Sequence, residues 1–388
     1  MPTESSQYRR KAAIVGVGCT EFSKNSGRSE LHNAVLAVKT AADDAGLKLK
    51  DIDGLIFHNM DRVNEVQMVD TLGLDNVRFT FESVQGAGGN CGAIGLAGLA
   101  VLAGKANYVA VYRSLNGRSQ DRYGSARGSR YADGPAAWRA PFGLVMASHQ
   151  IAMRVRRYMI ETGAQSRDFG AVSVAFRKHA SVNPDAYFYG KPITLEDHQA
   201  SPVFVDPLRR LDITPEYDAA GAVIVTSAER AADLRQRPAY IAGWAQATGR
   251  RQDPMIAAYR QNITDIDEAR LATEEAFAMA GITHEDVQVL QIYDHFAPMV
   301  VLALESMGFC GRGEGYEFVQ NGGIEIGGRL PVNTHGGNLG EGYIHFMNHI
   351  REGVRQIRGT SPNQVPSCEV SFLMPGYGVT TSALVLTN

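Results

Sequence analysis

Two short segments concentrate the side chains able to move protons. Tyr293-Asp294-His295-Phe296-Ala297 closes the apolar run VQVLQI (287–292). NTHGGNLGEGY (333–343) holds His335, the pair Gly336-Gly337 and a terminal Tyr343, with His345 two residues on. Glycine pairs between apolar runs mark tight loops where backbone approaches backbone or ligand. Each of these histidines, taken alone, reads as a hydrogen-bonding loop group, and a lone tyrosine as a packed ring with a satisfied hydroxyl. The four cysteines, Cys19, Cys91, Cys310 and Cys368, are far apart and form no CxxC pair. Neither a zinc site nor a disulfide framework is indicated, and no metal is expected.

The elements that must position these segments are legible. Near-continuous apolar runs at 12–18, 53–59, 107–114, 221–227, 239–245, 287–294, 368–374 and 381–387 suit strands covered on both faces. Helical patterns lie between them, such as 31–46 and 266–281, which argues for mainly parallel sheets. The segment 41–57 repeats at 275–292 with an offset of 235, pairing Ala45-Gly46 with Ala280-Gly281 and Asp51 with Asp286. Each copy follows a strand of related pattern, AAIVGVG or AYIAGWA. The reading is therefore a duplicated α/β fold in two halves, 1–237 and 238–388, parted at Arg237-Pro238. Residues about 115–215 form an excursion rich in Arg and Tyr, with Arg118, Arg122, Arg127, Arg130 and Arg139 in succession. It is read as lying over a ligand site or an interface, with most of its arginines on a solvated face.

The chain of 388 residues carries a net charge of −3, which removes the electrostatic case for nucleic acid as main partner. No run approaches the roughly 18 apolar residues of a membrane helix. The N-terminal segment has no apolar signal core, so the expected setting is cytoplasmic.

Four segments carry a family resemblance. NTHGGNLGEGY (333–343) resembles the Asn-x-x-Gly-Gly-x-x-x-x-Gly-His-Pro motif of the thiolase superfamily, with Tyr343 at the His position and Ile344 at the Pro position. Tyr-Asp-His-Phe-Ala (293–297) resembles that family's Asn-Glu-Ala-Phe-Ala motif and the His-Asp-Cys-Phe variant of sterol-carrier-type thiolases, with Tyr293 at the oxyanion-binding position. LMPGYGVTTSALV (373–385) resembles the last glycine-rich turn and strand, and the second catalytic Cys falls near Phe372. VQGAGGNCGAIGLAGLAVLAGKANYVAVY (84–112) resembles the helix presenting the nucleophilic Cys. The vacated nucleophile position is Ala87 or Gly88, and Cys91 misses it by about one turn. DITPEYDAAGAVIVTS (212–227) looks hairpin-like.

The resemblance implies a thiolase-like fold: duplicated βαβαβαββ halves in five αβαβα layers, with an inserted loop domain. The departures decide the chemistry. Thiolysis needs a thiolate, a base to form it and a second acid/base, and those positions are vacated. Tyr343 occupies the base position, and Tyr293 the position of the oxyanion-binding residue. This pattern is similar to the steroid side-chain retro-aldolases of the lipid-transfer-protein branch. They cleave a β-hydroxyacyl-CoA, such as a 17-hydroxy C22 acyl-CoA, into a ketone and a short acyl-CoA such as propionyl-CoA. They work with an OB-fold/zinc-ribbon partner (domain of unknown function 35).

The resemblance then implies Tyr343 as base and Tyr293 as enolate donor and proton source, or the reverse. Asp294 and His295 would orient their loop. His335, Gly336 and Gly337 would shape the pocket, and His345 would neighbour a phenol. A free phenol has a pKa of about 10, so a basic tyrosine needs a donor or cation nearby. No cofactor is expected in this chain, since CoA is part of the substrate. A homodimer core is expected, enlarged to a heterotetramer with the partner. Two other readings stay open: an acyl-CoA acyltransferase using Cys91, or a non-catalytic lipid-binding subunit.

Overall fold

The structure, a computed structural model, describes residues 4–83, 86–120, 122, 134–253, 255–376 and 380–388. Arg127, Arg130 and the Tyr377–Val379 part of the last glycine-rich turn lie outside the described residues.

Nine strands form one mixed sheet: β1 (Ala12–Cys19), β2 (Gly54–His58), β3 (Phe79–Ser83), β4 (Val109–Asn116), β5 (Asp218–Ser227), β6 (Ala239–Ala247), β7 (Val289–Ile292), β8 (Val370–Met374) and β9 (Thr381–Thr387). Their order is β3-β2-β4-β5-β1-β6-β9-β8-β7. β2 runs parallel to β3 and β4, and β7 parallel to β8. Leu290 of β7 also bridges Val332 in parallel. The order thus reads alike outward from the β1–β6 seam, where Ala13 pairs with Tyr240 and Ile14 with Ala239.

Among the described residues there are eight longer helices: α1 (Glu30–Ala45), α2 (Glu65–Leu72), α3 (Asn90–Leu102), α4 (Ala147–Thr162), α5 (Ser166–Val182), α6 (Asp267–Ala280), α7 (Ala297–Ser306) and α8 (Met347–Arg358). α1 packs on β1, β4 and β5, and α6 on β6 and β9. α3 touches β4 and β5 but also β6 and β9, while α8 touches β7 and β8 but also β1 and β5. These two helices are the middle of five layers, and the tyrosine loops lie at their N-terminal ends.

The repeat holds in detail. α1 and α6 both end on a left-handed glycine, Gly46 and Gly281, the usual device for closing a helix. Asp51 accepts from the Lys48 N–H and Asp286 from the Thr283 N–H, closing the same short turn. Gly16 of β1 lies so close to α1 that a Cβ would meet the Ala41 carbonyl oxygen at 2.1 Å. Gly243 of β6 lies equally close to Ala276 of α6. Only a bare Cα lets each helix sit this low on its strand.

Two expectations change. Residues 212–227 are not a hairpin: β5 is a single strand inserted between β4 and β1, preceded by a tight turn at Arg210–Asp212. The excursion does more than lie over a site or interface. Its helices α4 and α5 share the outer core of the second half, with Ile151, Val155, Phe169 and Phe176 buried among Phe296, Val300, Leu304 and Leu339. Their apolar faces required a partner, and the second half supplies it. No helix among the described residues is long and apolar enough to cross a membrane.

Candidate active site

β7 ends at Ile292, so Tyr293 is the first residue beyond the strand, its N–H still bonded to the Met374 carbonyl on β8. Tyr343 approaches it from the loop before α8. Their phenol oxygens are 2.9 Å apart, and the residues are only 7% and 8% exposed. The hydroxyls therefore share a hydrogen bond with little water around them. The His295 ring stacks on Tyr293, centroids 4.7 Å apart. Burial and then the Arg154 cation push His295 down to about 3, so at neutral pH it is an uncharged plate.

Asp294 points away from the phenols. Its carboxylate accepts from the N–H groups of Asn338 (2.8 Å) and Leu339 (3.0 Å), and His349 Nε2 lies 3.0 Å from it. It anchors the turn Gly337–Gly340, whose N–H groups would otherwise be orphaned in the core. Gly337 has φ +62, and a Cβ there would lie 2.3 Å from the Asp294 carboxylate. Gly336, at φ +108, rests on Ala180 of α5. His335 turns inward as well. Its ring meets His349 edge-on at 4.6 Å, and burial with His349 holds it well below the ordinary imidazole range. Its carbonyl accepts from Asn183 of the excursion. Asp294, His335 and the glycine pair thus carry the loop from beneath, and the phenols lie above it.

His345 is the histidine beside Tyr343, the rings edge-on at 4.9 Å and 77°. Arg113 of β4 donates to its Nδ1 from Nε at 2.8 Å. Burial and Arg113 hold His345 well below its usual pKa.

The first half supplies the facing loop. Ala87–Gly89 is a single tight turn leading into α3, with Ala87 buried in the same core as Tyr293 and Tyr343. The Gly88 carbonyl accepts from the Ser382 hydroxyl at 2.5 Å. Cys91, one turn further, is wholly buried, its Sγ 3.8 Å from the Leu373 carbonyl, and burial pushes the thiol well above its usual range. A thiol so placed is inert, which removes the acyltransferase reading built on it. Phe372 faces the outer core, with Phe277 at 4.8 Å.

Sequence reasoning missed Arg113, its buried counter-ion Asp61, and His58. His58 ends β2, bonds to the Gly86 carbonyl at 2.8 Å and is pushed to about 3 by burial and then Arg113. A signal existed for it: the repeat offset of 235 pairs His58 with Tyr293. A single arginine inside the apolar run 107–114 was a second signal.

Comparison with known proteins shows the family. The family model described as "Thiolase C-terminal domain-like" matches residues 249–387. A 17-hydroxy-3-oxo-4-pregnene-20-carboxyl-CoA lyase of Mycobacterium tuberculosis is 49% identical over 381 residues, 97% of this chain and 99% of that protein. A steroid side-chain-cleaving aldolase of Thermomonospora curvata is 47% identical over 380 residues, 97% of each chain. A solved structure, the Ltp2-ChsH2(DUF35) aldolase, matches with a TM-score of 0.92 at 46% identity, covering 98% of both chains. The chain belongs to the thiolase superfamily, in its branch of steroid side-chain-cleaving aldolases.

Proposed function

We propose that the protein cleaves a β-hydroxyacyl-CoA with a steroid-like acyl group, such as a 17-hydroxy C22 acyl-CoA, by a retro-aldol reaction. The products are a ketone and a short acyl-CoA such as propionyl-CoA. The observation that carries this reading is the buried 2.9 Å hydrogen bond between Tyr293 and Tyr343. The names of the relatives from Mycobacterium tuberculosis and Thermomonospora curvata support the substrate class.

In this mechanism Tyr343, as phenolate, takes the proton of the β-hydroxyl. The new carbonyl forms as the Cα–Cβ bond breaks, and the electron pair passes into the thioester as an enolate. Tyr293 donates to the enolate oxygen and supplies the proton that ends on the α-carbon. Proton uptake and release then balance within one pair of phenols. No covalent nucleophile takes part, and CoA enters as part of the substrate. The second half, 238–388, gives the site both tyrosine loops, and the first half, 1–237, gives the facing turn Ala87–Gly89.

The working assembly in this reading is a homodimer joined to a domain-of-unknown-function-35 partner as a heterotetramer. The complex named for the solved relative supports the partner. Among the described residues β3 bonds only to β2 within the sheet, and its Phe81 is 44% exposed. Such an edge invites pairing with a second copy.

The test is to incubate the purified protein, with and without the partner, with the 17-hydroxy acyl-CoA and to assay ketone and short acyl-CoA. Stoichiometric appearance of both supports the proposal. Thioester hydrolysis alone, or no turnover in the complex, would overturn it.

A further inference from the structure

Arg113 is the one charged side chain of β4, and it is wholly buried. Asp61, from the turn after β2, is its ion-pair partner and is equally buried. Asp61 also accepts from the Ser114 N–H at 3.1 Å, which fixes the carboxylate. The guanidinium turns its other edge to His345, with Nε 2.8 Å and Nη2 2.6 Å from the same Nδ1. A guanidinium only donates. Nδ1 must therefore accept, and the neutral ring carries its proton on Nε2.

The backbone of His345 is held as firmly. It has φ +47, and Phe346 after it has φ +79. Two successive non-glycine residues in the left-handed region are a strained arrangement that the surroundings must enforce. Asn90, at the start of α3, donates to the His345 carbonyl. Residues of the first half thus grip a second-half histidine by ring and by backbone. That ring stands edge-on to Tyr343.

We propose that Arg113, backed by Asp61, is a positioning residue for the cleavage: it locks His345 as a neutral, Nε2-protonated ring that braces Tyr343. This rests on the retro-aldolase reading of the tyrosine pair. Among the described residues, the titratable and charged groups bearing on His345 are Arg113 with Asp61 behind it, His58 at the end of β2, His295 and Tyr343. Arg113 is the cation among them, and it opposes a second proton on the ring. Removing it relieves that opposition and leaves the Asp61 carboxylate nearby. Burial, the larger cause, stays in place, so the ring takes a second proton more readily than before but still less readily than a free imidazole.

The experiment uses the purified complex and Arg113→Gln, with folding checked by circular dichroism. kcat should fall at least about tenfold, as expected when a catalytic group is slightly misplaced, with KM within about threefold. The acid limb of the kcat–pH profile should move to higher pH. A folded Arg113→Gln variant with the wild-type profile overturns the proposal. If that variant does not fold, His345→Asn serves, since its amide oxygen can still accept from Arg113. A folded His345→Asn variant with wild-type kcat is equally fatal, and a comparable loss of kcat supports the role. The ring ¹⁵N spectrum of wild-type protein, assigned by the loss of one signal in His345→Asn, gives a readout independent of turnover. A proton on Nδ1 of His345 sinks this inference whatever the protein cleaves. Absence of cleavage by the wild-type complex, with Nδ1 unprotonated, instead removes the retro-aldolase reading and the positioning role of Arg113 with it.

Discussion

Asn90 and His345 hydrogen-bond to each other across the middle layer of the fold, although 255 residues separate them. Asn90 opens α3, and His345 lies two residues before α8. The two central helices are therefore joined at their N-terminal ends, where Ala87 and Tyr343 also sit. A site built this way depends on the register between the halves. A shift of α3 along α8 moves Tyr343 relative to Tyr293, and a misplacement of about 1 Å can cost about 100-fold in rate.

Tyr293→Phe and Tyr343→Phe each delete one hydroxyl and keep the ring. Each change should lower kcat by about 10²–10⁴-fold, with circular dichroism unchanged. The double variant should be far less impaired than the product of the two single losses, because groups that act together are non-additive. Near-normal turnover in either folded single variant removes that tyrosine from the mechanism.

Gly376 has φ +96, and a Cβ there would lie 2.7 Å from a ring carbon of Tyr293. Gly376→Ala should lower kcat by roughly 10–100-fold by displacing that ring. Gly104→Ala is the control: φ is +69 but nothing lies within 4 Å. It should cost stability, about 1–2 kcal/mol for a left-handed alanine, and leave kcat alone. Equal kcat values for the two variants would contradict the role given to Gly376.

Cys91→Ala should retain kcat within a few-fold. Its cost should appear in stability, roughly 1 kcal/mol for a small buried deletion. Loss of turnover in a folded Cys91→Ala protein would restore the thiol as a participant.

Acid should destabilise the fold through its buried histidines. His58 and His295 stay neutral down to about pH 3 in the folded chain, but in the unfolded chain they take up protons below about 6.5. The unfolded state binds more protons between these limits, so stability falls as pH drops from about 6.5 toward 3. His335 and His345 are shifted the same way. Glu341, raised by burial, works in the opposite sense. Calorimetry from pH 7 to 4 should show a falling Tm, and a Tm that rises over this range would refute the account.

Placing a charge on the outermost strand tests the assembly. Phe81→Lys should shift the sedimentation profile from dimer to monomer, since a lysine on a sheet edge resists strand addition. A variant that remains dimeric moves the interface elsewhere.

The strands other than β3 were readable because strands covered on both faces carry unbroken apolar runs. β3 was not, because Phe79–Ser83 is mostly exposed and polar residues interrupt it. Tyr293 and Tyr343 were found because each fills a motif position that the family reserves for other chemistry. Arg113 escaped because its meaning lies in a contact 232 residues away. The docking of α4 and α5 onto the second half escaped for the same reason. Periodicity shows that a helix has an apolar face, but not which surface receives it.

Asp294 gives its carboxylate to Asn338, Leu339 and His349, which leaves it little part in any reaction. A loop clamped from below by such a fastener keeps its shape whatever stands on top. The residues on either side of the fastener can then be exchanged, imidazole for phenol or amide for phenol, without redesigning the frame. A change of reaction can then leave the mount unaltered and fall on the side chains it carries.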